Sequence, residues 1–148
     1  MTNRQSWACA LIALLAATLL GCQEEAIVAM IGAQVRRGPG QQLELSEVAL
    51  FDWDRVCLFG PYTPAATLVQ ATGLPDAART AHSIESNEGI ALLLFIEGDR
   101  IAAEVTLPRA EGEFAPELLG KCYSRRDAVF AVRVVPQNSS GNIGPPVR

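Results

Sequence analysis

The chain has 148 residues, with 12 Lys and Arg against 16 Asp and Glu and a formal charge of −4 at pH 7. That length suits one domain large enough to bury a sizeable core. The mildly acidic balance gives no electrostatic pull toward nucleic acid or anionic lipid. The basic pairs Arg36-Arg37 and Arg125-Arg126 lie far apart in the chain and read as solvated surface, so neither a polyanion site nor a nucleic-acid partner is expected.

The first element is apolar. Arg4 supplies a positive start, Trp7 to Leu20 an apolar core and Gly21 a small residue ahead of Cys22, which together make the three parts of an export signal. The core is shorter than the roughly 20 apolar residues that a bilayer-spanning helix needs. Leu19-Leu20-Gly21-Cys22 resembles the lipobox of bacterial lipoproteins, with Leu20 where that family usually has Ala, Ser or Thr. The resemblance implies a signal peptide over residues 1–21 and a mature chain beginning at an acylated Cys22, anchored in the membrane through its lipid. An ordinary cleaved signal, with Cys22 incidental, is the alternative. Each buried CH₂ of an acyl chain contributes about 0.8 kcal/mol, and more than one chain is needed for durable attachment. Gln23, rather than Asp, follows the cysteine; by the family's sorting rule in enteric bacteria this implies the outer membrane, facing the periplasm. Loss of residues 1–21, whose one charged side chain is Arg4, takes the formal charge from −4 to −5.

Residues 22–40 read as an anchor with a tether or short helix. Glu24-Glu25 and Arg36-Arg37 complement a helix dipole over Glu24 to Arg37, and Gly38-Pro39-Gly40 ends it. Its apolar middle, Ala26 to Ile31, would pack on the domain or lie against the membrane. A single α+β domain is expected over 41–135. Ser46 offers an N-cap for a turn over Glu47 to Leu50. Phe51, Trp53, Cys57 and Phe59 then alternate with Asp52 and Asp54, which predicts a strand with its aromatic face inward, ended by Gly60-Pro61. The next helix has full punctuation: Thr63 as cap, Pro64 at the first position, Gly73 after the last turn and Pro75 beyond. Asp76 to Ala81 adds a further helical turn.

Ile90 to Ile96 is a continuous apolar run, as in a central strand covered on both faces. Glu97-Gly98-Asp99-Arg100 signals a tight hairpin, and Ile101 to Leu107 returns with Ile101, Ala103, Val105 and Leu107 on one side. Asp127 to Val135 is the last expected strand. The Pro-, Gly-, Asn- and Ser-rich tail, 136–148, reads as disordered. Together these elements predict an α+β fold: a small antiparallel sheet of about four strands with one or two helices packed on one face.

Four cysteines are present. With Cys9 in the signal and Cys22 carrying lipid, Cys57 and Cys122 remain, and in an oxidising envelope such a pair forms a structural disulfide. A redox-active pair is the alternative, but the Cys-x-x-Cys spacing that lowers a thiol pKa is lacking.

The densest cluster of special residues is Phe51-Asp52-Trp53-Asp54-Arg55-Val56 with Phe59-Gly60-Pro61-Tyr62-Thr63-Pro64. Over roughly Leu43 to Leu74 it resembles small uncharacterised bacterial lipoproteins and secreted proteins that carry a Trp-Asp-basic-Val strand, then Gly-Pro-Tyr and a helix; the resemblance implies no activity. Read from the residues alone, Trp53 is a core side chain and Asp54 and Arg55 form surface pairs. The functional reading makes Trp53, Arg55 and Tyr62 a candidate binding surface, since Trp, Tyr and Arg are enriched in interface hot spots. His82 is the single histidine, beside Ser83. Neighbours in sequence rarely aim at each other as a catalytic pair, and no Gly-x-Ser-x-Gly accompanies them. One histidine and two oxidised cysteines make no zinc site. No catalytic residue, metal or cofactor beyond the lipid on Cys22 is therefore expected. The sequence points to a non-enzymatic envelope lipoprotein that binds another envelope protein as accessory or inhibitor. The alternative is a periplasmic binder of a small molecule or glycan in a cleft near Trp53 and Tyr62.

Overall fold

The computed structural model describes residues 22–133 and 141–146. The expected signal peptide over 1–21 lies outside the described residues.

Residues 22–35 are helical (α1). Ile27, Ile31 and Val35 recur every four residues along one face and are buried in the main core, the spacing that lays side chains in a stripe. Of the tether or short helix expected over 22–40, the structure shows a helix, and its apolar side packs on the domain. Gln34, buried on the same helix, accepts a 3.0 Å hydrogen bond from the Glu44 N–H and so fixes α1 to the next segment.

Among the described residues eight strands follow: β1 (Gln42–Glu44), β2 (Arg55–Phe59), β3 (Ile90–Glu97), β4 (Arg100–Pro108), β5 (Glu113–Phe114), β6 (Lys121–Ser124), β7 (Val129–Arg133) and β8 (Asn142–Gly144). They form two four-stranded sheets, in the orders β4-β3-β2-β6 and β1-β7-β8-β5. All pairings are antiparallel except β5 with β8. The α+β class expected from the sequence is the observed one, and the hairpin at Gly98 closes β3 onto β4 with Gly98 at φ 59°. The sheet of about four strands is joined by a second, whose strands β1, β5 and β8 have only two or three residues. That is too short to show a period-two pattern.

The longer sheet is covered on both faces. On one lie α3 (Ala65–Thr72) and a 3₁₀ helix over Pro75–Ser83, so that Leu68, Ala77, Ala81 and Ile84 pack with Cys57, Phe59, Leu92, Leu94 and Ile96. On the other, Val56, Leu58, Leu93, Phe95, Val105 and Leu107 meet α1 and the inner side of the second sheet through Leu43, Phe114, Phe130 and Ile143. β3 is therefore the doubly covered central strand its unbroken apolar run predicts.

Local details depart from expectation where tertiary packing decides. β2 starts at Arg55, and Trp53 packs on the opposite side from Cys57 and Phe59. A bulge places Ile96 opposite Ile101 and Phe95 opposite Ala103. The extra residue, Ala102, turns Ile101 to the α3 side, away from Val105 and Leu107. Ser46 lies inside α2 (Leu45–Val48) instead of capping it. Thr63 donates its hydroxyl hydrogen to the Gly60 carbonyl at 2.7 Å, and Pro64 takes the position before α3. Gly73 ends α3 in the left-handed region, at φ 72°, as its sequence position predicts. The tail is corrected at Asn142–Gly144: β8 lies between β7 and β5 with Ile143 fully buried. Residues 136–140 and 147–148 lie outside the described residues.

Candidate functional site

The three residues expected to share a binding surface are not brought together. Trp53 is only 3% exposed. Its indole N–H donates to the Ala49 carbonyl at 3.2 Å, its ring meets Phe95 edge-on at 5.1 Å, and the Arg125 guanidinium covers it at 5.2 Å. Arg55, half-buried at the start of β2, is spent on backbone: its guanidinium donates to the Thr72 carbonyl at 3.1 Å and to the Gly98 carbonyl at 3.3 Å. The neighbouring Asp54 carboxylate accepts the Gly98 N–H. Asp54 and Arg55 together hold the β3–β4 turn and the end of α3 in place, rather than forming surface ion pairs. Tyr62 lies beyond the far end of β2. Arg55 to Phe59 alone separates the two ends by about 13 Å at strand rise, with Trp53 buried before one end and Tyr62 exposed beyond the other.

Tyr62 is the residue of the three that faces solvent, 54% exposed. It is the non-glycine residue with positive φ among those described, at 61°, a conformation that costs a side-chain-bearing residue about 1–3 kcal/mol and collects at functional sites. Its N–H is held by the Ile84 carbonyl at 2.8 Å, and its hydroxyl donates to the Glu88 carboxylate. That hydrogen bond raises the phenol pKa above its usual value, with smaller contributions from desolvation and from the charge of Glu88.

Beside this pair is a slot of about 150 Å³. Pro61, Ile90, Phe114 and Leu119 give it apolar walls, and Glu88 and Arg109 line it as well. Arg109 is paired with Glu113 at 2.8 Å. Small-molecule sites usually hold about 300–1,000 Å³, so this slot is nearer the size of one or two side chains. Sequence reading missed it because its lining comes from four separate stretches between Gly60 and Leu119. The signal in sequence was Gly60-Pro61-Tyr62, where a proline and a strained tyrosine end a buried strand.

The remaining sequence candidates resolve simply. Cys57 and Cys122 are disulfide-bonded as expected. Cys22 is exposed at the start of the described part of α1. His82 and Ser83 each turn back to their own 3₁₀ helix, on the carbonyls of Arg79 and Thr80, and do not meet. Among the described residues no three His, Cys, Asp or Glu side chains group to hold a metal, and no helix is long and apolar enough to cross a membrane.

The two ends of α1 connect these features. At its start, Glu24 accepts the Thr106 N–H at 2.8 Å, and Gln23, Glu24 and Ile27 line a hollow with Ile101 to Val105 on β4. At its end, Arg36 pairs with Glu111 at 2.8 Å and Val35 lies against Gly112, which also lines the slot. Cys22 stands at the start of α1, and the slot residue Gly112 lies beside Val35 in its last turn, about 20 Å along the helix at 1.5 Å per residue. Fold and site together define an α+β domain of two sheets with an exposed cysteine at the start of α1 and an apolar slot beside the Glu88 that holds Tyr62. No protein-family model matches the chain, and no curated protein or solved structure matches it.

Proposed function

We propose that the protein is a bacterial envelope lipoprotein, anchored through acylated Cys22, that acts without enzymatic chemistry by binding another envelope protein at Tyr62 and the slot. The observation that carries this reading is the exposed Tyr62, bonded to Glu88 beside an apolar slot of about 150 Å³. Cys22 lies at the start of α1, and Val35 in its last turn lies against Gly112, which lines the slot. An exposed tyrosine beside an apolar recess sized for a side chain suits an interface anchor, because hot spots combine a rigid aromatic with a desolvated pocket. The Glu88, Arg109 and Glu113 charges supply a polar rim. Gln23 after the cysteine supports an outer-membrane location facing the periplasm. The resemblance over roughly Leu43 to Leu74 to small lipoproteins and secreted proteins agrees with this location.

The test is photocrosslinking in cells from single positions on the full-length protein. A crosslinker at Thr63 or Glu88 is expected to trap one discrete partner, one at Arg79 should trap none, and Tyr62→Ala should abolish the adduct formed from Glu88. Equal adducts at all positions, or none at the slot, would refute the reading.

A further inference from the structure

We infer that the apolar surface flanking the start of α1 is a membrane-contact face, seated in the headgroup–acyl boundary beside Cys22. Leu50 is 82% exposed and Met30 37%. Scattered exposed apolar side chains need no explanation. These are contiguous: Leu50, Met30, Ala26 and the half-buried Phe51 line one shallow groove of about 280 Å³, which begins at Gln23, the residue after Cys22. Contiguous apolar surface of this kind marks a contact with a partner or a membrane.

What covers it follows from its position in the chain. The apolar segment Trp7 to Leu20 ends two residues before Cys22. Whatever holds that point at the bilayer brings the groove with it. At helical rise Ala26 is about 6 Å and Met30 about 12 Å along α1 from Cys22, and apolar faces of interfacial elements sink about 5–10 Å into the headgroup region. No Lys or Arg lines the groove, and Glu25 and Asp52 beside it are exposed. The contact is therefore mainly apolar, with the exposed Arg125 guanidinium at its margin, 3.4 Å from the Phe51 carbonyl. Seated this way, the lipid on Cys22 and the groove fix two points of the domain, which holds the Tyr62 slot at a set direction from the membrane instead of swinging on a single tether.

This inference rests on the anchoring of Cys22 proposed above, and its test separates the two. Full-length protein is processed in cells, purified with its native Cys22 modification and reconstituted in phosphatidylethanolamine–phosphatidylglycerol vesicles. An environment-sensitive fluorophore is placed on Leu50→Cys or, as control, on Arg79→Cys, while mass spectrometry reads Cys22. With Cys22 acylated, the label at position 50 should blue-shift, lose quenching by iodide and be quenched by lipid-borne nitroxide; the label at 79 should stay open to iodide. Acylated Cys22 with an iodide-quenched label at 50 overturns the membrane-contact face and leaves the anchor standing. A label at 50 shielded from both quenchers assigns the groove to a protein surface, such as a second copy, and also overturns it. Unacylated Cys22 in protein that remains off the vesicles removes the anchor and the inference together.

Discussion

Cys57 and Cys122 are directly opposed on the β2–β6 ladder, joined sulfur to sulfur with their Cα atoms 3.9 Å apart. The bond fastens the four-residue edge strand β6 to the buried β2 and closes a separation of 65 residues. In the chain-entropy account a loop of that length is worth about 4 kcal/mol. Equilibrium urea unfolding with and without reductant should show a loss of that order, with the midpoint falling and the slope rising as the denatured chain is released. A difference below about 1 kcal/mol would mean that the denatured state is not restrained by the bond as this account requires.

Trp53 is a core residue, and its substitution should read as such. Trp53→Ala removes the packing on Phe95, the seat for Arg125 and the donor to Ala49, and is expected to cost about 3–5 kcal/mol. Thermal unfolding followed by circular dichroism checks the figure. If the crosslink to Glu88 survives in the fraction that stays folded, Trp53 is separated from the binding surface. An effect inside about ±0.5 kcal/mol, the range of ordinary surface substitutions, would contradict its burial.

The positive φ of Tyr62 makes a substitution series informative. Glycine occupies this region freely, whereas alanine retains the Cβ penalty, so Tyr62→Gly should be more stable than Tyr62→Ala by about 1 kcal/mol. Paired chemical denaturation curves of the two variants give the comparison directly. Equal stabilities would mean that the backbone relaxes out of the left-handed region once the tyrosine is gone.

Glu104, half-buried on β4, has its pKa raised above the ordinary value of 4.5 by desolvation and by Glu24, with His82 opposing. The folded state therefore holds the Glu104 proton more tightly than the unfolded chain. Stability falls as pH rises from the ordinary value through the raised one, and the penalty is complete at neutral pH. Glu104→Gln should raise Tm at pH 7, and its advantage should vanish as pH drops below about 4.5. Melting curves of both proteins across pH 3.5–7.5, a window of about four pH units around the carboxylate range, test this; an advantage independent of pH would exclude ionisation as its cause.

Where local chemistry dominates, the sequence was readable. The unbroken apolar run of Ile90 to Ile96, the glycine turn at Gly98, the left-handed stop at Gly73 and the pairing of two leftover cysteines each follow from one residue type or a short pattern. The candidate site was half legible. Tyr62 could be singled out from Gly-Pro-Tyr, but its companions Glu88, Arg109, Phe114 and Leu119 come from distant segments with no pattern linking them. Trp53 looked equally available, yet the turn of chain before β2 points it inward onto Phe95.

By itself the sequence determined the α+β class, the central strand and hairpin, the disulfide pair and an N-terminal motif that resembles a lipobox. These rest on local propensity and on the chemistry of single residues. Only the tertiary structure decided that α1 packs into the core through Ile27, Ile31 and Val35, that three strands of two or three residues join β7 in a second sheet, and that Pro61, Glu88, Arg109 and Phe114 meet in one slot. The physical reason is burial. Short strands and remote pocket walls carry too few residues to show periodicity, and take their positions only when non-local packing removes their apolar surface from water.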